Sequence, residues 1–328
     1  MAHQLDIIDG KASMAYVGQT PWHGLGQSLQ PGSDIETWRR ESGLDYSVLA
    51  AEAMYRLIDE DGTASYHEFP GRKTLYRSDN LKPLSVVSKD YKVVQPAEVL
   101  EFFNQLSEIG GFHLETVGSL KGGAKIWGLA KIDDGAPIIA DDIVRPYVLL
   151  ATSYDGSLAT TARLTSVRVV CNNTLSRAYS GDSKSVVKVR HDAHFRPEEV
   201  RMQLGIFSDQ WEKFQIEMRR LAEKQISDDF ADAFLATLFS RKLAKRADGS
   251  LPDVRNTRGF KEVMALFHGG ARGHEMVKGT AWCLVNSVTE WVDHSRGRSP
   301  ETRLDAAWFG AGNDLKTTAF SEMLDVIS

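Results

Sequence analysis

Residues 145–179 read RPYVLLATSYDGSLATTARLTSVRVVCNNTLSRAY, and the fold class follows from how that stretch divides. Tyr147 to Ala151 is an apolar run of strand length, and Tyr154-Asp155-Gly156-Ser157 is a turn. A Thr-rich segment then returns toward Val167-Arg168-Val169-Val170-Cys171. An Asp-Gly between two runs rich in β-branched residues predicts a hairpin. Asn172, Asn173 and Thr174 have short side chains that accept hydrogen bonds from the free amides of a first helical turn. A capped helix over Leu175 to Tyr179 is therefore predicted next. Upstream the chain reads as sheet and downstream as helix. The expectation is an α+β protein: an antiparallel twisted sheet with packed helices in residues 1–190, and a mostly helical unit in residues 191–328.

Upstream, Ser33 to Glu36 has capping-box spacing ahead of a helix carrying Ile35 and Trp38, with a stop at Gly43. Tyr46 to Ile58 and Ser65 to Tyr76 alternate like a hairpin around Asp59-Glu60-Asp61-Gly62, and Leu84 to Ser88 adds a short strand. Pro96 suits a first helical turn, and Val99, Leu100, Phe102, Phe103 and Leu106 give that helix a broad apolar face ending at Gly110-Gly111. His113 to Leu120 and Ala124 to Ile132 are strands flanking a Lys121-Gly122-Gly123 turn.

Downstream, Val200, Leu204, Phe207, Trp211, Phe214, Met218 and Leu221 alternate at spacings of four and three after Pro197. That is a heptad seam, able to pair with a helix of the same chain or of another subunit. Further helices are expected after Ser227, over Phe260 to Phe267, over Thr280 to His294 and over Asp314 to Ile327. Basic residues Arg241, Lys242, Lys245 and Arg246 suit the negative end of the second helix.

Composition narrows the function classes. A 42% apolar and 25% charged chain of 328 residues is ordinary for a globular protein, and its net charge of −5 excludes a uniformly basic surface. The start lacks a basic region followed by an apolar one, so no signal peptide is expected, and no apolar run reaches the ~20 residues of a membrane span. Cys171 and Cys283 lie far apart in apolar surroundings and read as buried thiols of a cytoplasmic protein.

Enzyme signatures are weak. There is no P-loop and no GxSxG elbow. His23, beside Trp22 in PWHGLG, is a candidate base, although Trp22 as a core plug explains the pair as well. His191 and His194 have metal-ligand spacing but no cysteine or HExxH context. Asp133, Asp134, Asp141 and Asp142 offer a two-metal nuclease reading, yet they flank a Gly-Ala-Pro turn. No cofactor and no catalytic residue is expected.

Charge placement is more informative. Between Gly156 and Arg190 stand Arg163, Arg168, Arg177, Lys184, Lys188 and Arg190 against the single acid Asp182. Upstream, Lys121, Lys125 and Lys131 accompany Trp127, and Lys125, Trp127 and Lys131 share one parity on a strand. Cations for phosphates beside a ring that stacks on any base are what a single-strand binder needs, with Trp127 or Tyr154 as the stacking group. The alternative is a solvated sheet with Trp127 in the core.

The blocks PWHGLG (21–26), YKVVQPAEVLEFFNQL (91–106), GSLKGGAKIWGLAKI (118–132), YVLLATSYDGSLATTARLTSVRVVCNNTL (147–175), GTAWCLVNSVTEWVDH (279–294) and RLDAAWFGAGNDLK (303–316) resemble the phage/plasmid-like protein family, a domain of unknown function found on phages, plasmids and integrative elements. The resemblance implies a role in DNA metabolism inside a bacterial host cell and a placement among single-strand annealing proteins. It further implies a ring or filament of subunits holding single-stranded DNA, beside a phage exonuclease or a host single-strand-binding protein. Residues 1–190 would then be the DNA-binding unit and 191–328 the oligomerisation or packing unit. Two alternatives stand beside it: a protein-interaction factor (a virion component or an inhibitor of host defence) and a metal-dependent nuclease.

Overall fold

Short strands open the chain: β1 (Ile7–Ile8) pairs with β2 (Lys11–Ala12), and β3 (Met14–Val17) runs parallel to β4 (Gln27–Leu29). The coordinates are a computed structural model and describe residues 7–8, 10–18, 25–108, 112–168, 173–175, 186–191, 196, 207–241, 243–244, 249, 252–297 and 300–327. Helix α1 (Ile35–Glu41) begins at Asp34, whose carboxylate accepts the Thr37 N–H at 2.7 Å. The cap is thus one residue beyond the Ser33 that the sequence suggests. Gly43 ends the helix with φ of 69°, a conformation that favours glycine.

Strands β5 (Val48–Ile58), β6 (Ala64–Arg77) and β7 (Pro83–Ser88) form a separate antiparallel sheet in that order, within a residue or two of the predicted hairpin. Strand β7 pairs only with residues 72–76 of β6, so residues 54–68 project as a two-stranded ribbon. At its base, residues 69–72 of β6 stand opposite Ala53 alone.

After α2 (Pro96–Glu108) come β8 (His113–Leu120), β9 (Lys125–Lys131), β10 (Ala136–Pro137), β11 (Ile143–Ser153), β12 (Thr160–Arg168), β13 (Asn173–Leu175) and β14 (Val186–Val189). The main sheet runs β13-β12-β11-β9-β8-β3-β4, with β10 on β11 and β14 also on β12. Every pair in it is antiparallel except β3–β4, which makes the sheet mixed. The hairpin at Asp155-Gly156 forms as β11–β12. The helix predicted after it does not begin where expected: Asn173–Leu175 pairs with Ser166–Arg168 as a strand. The ladder and the Asp293 carboxylate, which accepts Thr174 N–H at 2.7 Å, satisfy the amides that a cap would have served. Residues 176–185 lie outside the described residues.

The second half is helical: α3 (Phe207–Glu223), α4 (Asp228–Ser240), α5 (Arg258–Ala265), α6 (His274–Val277), α7 (Ala281–Glu290), α8 (Pro300–Phe309) and α9 (Ala311–Ile327). The protein is α+β, as the sequence indicates. In the seam of α3, Trp211, Phe214, Met218 and Leu221 are buried within the chain, and Phe214 meets Phe320 of α9 edge-on at 5.1 Å. Val200 and Leu204 lie outside the described residues.

Both faces of the main sheet are covered. Strand alternation sends Ile126, Ala130, Val148 and Leu150 to the face under α2, with Phe102 and Phe103. Gly128 permits that contact, because a Cβ there would lie 2.5 Å from a Phe103 ring carbon. The opposite parity, Trp127, Leu129, Tyr147 and Leu149, packs under Leu304, Trp308 and Phe309 of α8.

Polar bonds join the halves inside the core. Trp282 donates its Nε1–H to Asp142 Oδ2 at 2.9 Å. Lys316, 1% exposed, donates to Asp293 Oδ1 at 2.6 Å and to Thr174 Oγ1 at 2.8 Å. Burial lowers the Lys316 pKa and the Asp293 charge opposes that shift.

Candidate nucleic-acid interface

Lys125 and Trp127 share one face of β9, as their parity requires, but α8 lies over that face. Lys125 is 3% exposed, and its ammonium is an ion-pair partner of Asp305 and lies 4.9 Å from the centre of the Phe309 ring. Lys121 reaches the other Asp305 oxygen at 2.6 Å. Burial pushes the Asp305 carboxyl up, but hydrogen bonds from Lys121 and Lys125 outweigh it and hold the group below its ordinary value. Trp127 is 1% exposed and meets Trp308 edge-to-face at 4.6 Å. Arg163 donates to the Trp308 carbonyl and approaches the Phe309 ring, and burial pulls its pKa down. These side chains were expected to touch phosphates and bases. In the folded chain they hold α8, and the Asp305 carboxylate occupies the place expected for a phosphate.

Tyr154 is likewise no stacking platform. It is fully buried, donates its hydroxyl to the Val94 carbonyl at 3.0 Å, and has a pKa raised by burial. Lys131 is paired with Asp134 at 2.8 Å beside a cleft of about 550 Å³ that His113 and Glu115 also line. Only the backbone of Arg168 is described, within β12; Arg177 and Lys184 lie outside the described residues, as do Trp22, His23, Cys171 and His194. Cys283 is buried, and its thiol donates to the Phe267 carbonyl at 3.8 Å.

Three of the four carboxylates of the nuclease reading serve the fold, and the fourth, Asp141, is exposed. Asp133 accepts Gly135 N–H at 2.6 Å, Asp134 takes Lys131, and Asp142 takes Trp282. Among the described residues no group of three His, Cys, Asp or Glu is placed to hold a metal ion.

The remaining two candidates, Lys188 and Arg190, are exposed at the β14 edge, and the fold brings two other basic segments to them. The Lys92 amide donates to the His191 carbonyl, and the Tyr91 and His191 rings stack at 4.3 Å. His191 is fixed by the Leu158 carbonyl at 2.9 Å and the Lys92 carbonyl at 3.2 Å, which gives it a structural role. Lys73 donates to the Tyr91 carbonyl at 2.8 Å, and the Lys89 amide donates to the Gly71 carbonyl at 3.0 Å. Segments 71–73, 88–92 and 186–191 therefore meet at one corner; they carry six cations and one acid, Asp90, with Glu52 opposite Lys73 and Asp155 near Tyr91 as further acids. Arg72, Lys89, Lys92, Lys188 and Arg190 are exposed there. Sequence reasoning missed the first two segments because nothing in them is basic enough alone. Their only signal was the YKVVQP block that opens α2.

The geometry is that of an α+β protein whose mixed sheet is closed by helices on both faces, with a cationic corner where its two sheets meet. A family model described as "Domain of unknown function (DUF932)" matches residues 83–308, and the chain belongs to that family. No curated protein and no solved structure matches. Among the described residues, no helix is long and apolar enough to cross a membrane.

Proposed function

We propose that the protein binds single-stranded nucleic acid without acting on it chemically, and that it promotes strand annealing for a phage or other mobile element. The observation that supports this is the cationic corner around the Tyr91–His191 stack. It gathers six cations from three separate segments in a chain whose net charge is −5. Concentrated positive charge on an otherwise acidic protein favours a polyanion at that spot and disfavours it elsewhere. Lys188 and Arg190 would contact phosphates together with Arg72, Lys89 and Lys92. An exonuclease or a single-strand-binding protein would act beside it.

The test is fluorescence anisotropy with a labelled oligothymidine over a salt series, followed by an annealing assay with complementary strands. Replacing Lys89, Lys92, Lys188 and Arg190 by Glu should abolish binding at moderate salt. Loss of four phosphate contacts should flatten the log–log salt slope by about 3, at ~0.7 per contact for single strands. No binding by the unmodified protein at low salt, or an unchanged affinity in the fourfold variant, would overturn the proposal.

A further inference from the structure

Strand β5, VLAAEAMYRLI, is one edge of the three-stranded sheet, with the Gln95 side chain bonded to its first residue, Val48. Beyond β7 the β5–β6 ribbon has no third strand among the described residues, and its large apolar side chains face outward: Met54 is 51% exposed, Ile58 61%, Tyr66 67% and Phe69 51%. A two-stranded ribbon buries too little apolar surface to be stable alone in water. Edges that must stay unpaired usually carry lysine, proline or an inward-turned charge. The β5 sequence has no lysine and no proline, and its two charges, Glu52 and Arg56, are opposite in sign.

We propose that β5 pairs with the β5 of a second copy, antiparallel, about a two-fold axis through Met54. In such a ladder residues equally distant from the axis stand opposite one another, so the interface is self-complementary. Glu52 then faces Arg56 of the second copy, twice. Ala53 faces Tyr55, Ala51 faces Leu57 and Ala50 faces Ile58, so each large side chain meets a small one across the join. Moving the axis two residues in either direction would set Glu52 on Glu52 or Arg56 on Arg56, and like charges directly opposite are destabilising. On its other side Glu52 is already opposite Lys73 of β6, so the second copy would complete a row of alternating charge. The occupant is a second copy of this chain because the strand's charge order and size order are both self-complementary about Met54: acid opposes base and small opposes large. The proposal is independent of nucleic-acid binding.

The experiment is sedimentation velocity on the full chain over a concentration series, with charge variants at the exposed positions 52 and 56 and circular dichroism confirming that each variant is folded. A dimer is expected for the unmodified protein. R56E sets Glu against Glu52 and E52R sets Arg against Arg56, so each should weaken the dimer roughly tenfold or more. The double exchange E52R/R56E should restore it. Independently, M54C should form a disulfide with its own copy under mild oxidation, because only the residue on the axis faces itself, and L57C should not. A monomer at all concentrations, single charge variants that dimerise as before, or equal cross-linking at positions 54 and 57 would overturn the pairing. Assembly through α3 or capture of a different protein on the ribbon would appear as one of those outcomes. Oligonucleotide affinity of the monomeric variants reports separately on the cationic corner.

Discussion

Replacing Asp305 by Ala tests whether Lys125 and Lys121 hold α8 or contact phosphate. The substitution leaves Lys125, 3% exposed, without the carboxylate that neutralises it. Breaking a buried ion pair from one side costs about 3–5 kcal/mol. Two features reduce that figure here: the Asp305 side chain is 19% exposed, and the Phe309 ring still lies 4.9 Å from the ammonium. Lys121, with 35% exposure, adds little, because partly exposed pairs are screened. The expected cost is about 2–3 kcal/mol. For a chain of this length that lowers the melting temperature by about 3–4 °C. The assay is urea and thermal unfolding of four proteins: unmodified, D305A, K125M and the double variant. In the K125M background D305A should cost less than about 1 kcal/mol, because only the Lys121 pair remains to be lost. Additivity within ~0.5 kcal/mol would show that the two groups do not interact and would refute the clamp. A further outcome is equally decisive: if K125M left stability unchanged while lowering oligonucleotide affinity about tenfold, Lys125 would be a phosphate ligand after all.

Gly128→Ala introduces a Cβ that would sit 2.5 Å from a Phe103 ring carbon, so α2 must shift or Phe103 must leave its rotamer. A loss of about 1–3 kcal/mol in urea unfolding is expected, with near-ultraviolet circular dichroism reporting the displaced aromatic rings. A second prediction concerns alkaline pH. Burial raises the pKa of Tyr91, Tyr147 and Tyr154 above the ordinary value of 10.0. Above pH 10 the unfolded chain releases these protons while the folded chain keeps them, so the folded state binds more protons and stability falls as pH rises. Tyr154→Phe should move the alkaline unfolding midpoint upward, and phenolate absorbance from the buried rings appearing near pH 10 without unfolding would contradict the assignment.

The strands and most helices were legible because each is written in local periodicity. The β5–β6 hairpin, β8, β9 and α7 fall within a few residues of the patterns that predict them. Parity on β9 likewise placed Lys125 and Trp127 on one face. What covers that face was not legible, because the covering residues lie in α8, about 180 positions away, and sequence separation carries no sign of contact. Segment 173–175 misled for a related reason. Asn and Thr suit a helix cap and a polar edge strand equally well, and only Asp293 and Lys316, from distant helices, decide between them. Of the cationic corner only Lys188 and Arg190 were legible, because its three short segments contribute just two cations each and lie far apart in the chain.

Covering the sheet with α8 also fixes an order in time. When β12 ends at Arg168 on the ribosome, the face bearing Trp127, Leu129 and Leu149 is complete in register yet bare. Roughly 140 further residues must be joined before Trp308 and Phe309 exist, which at ~5–20 residues per second is about 7–28 s. During that interval the nascent chain presents an apolar sheet that only a chaperone or the ribosome surface shields. A message cut before codon 300 would therefore yield a sheet without its cover, a product destined for aggregation or proteolysis.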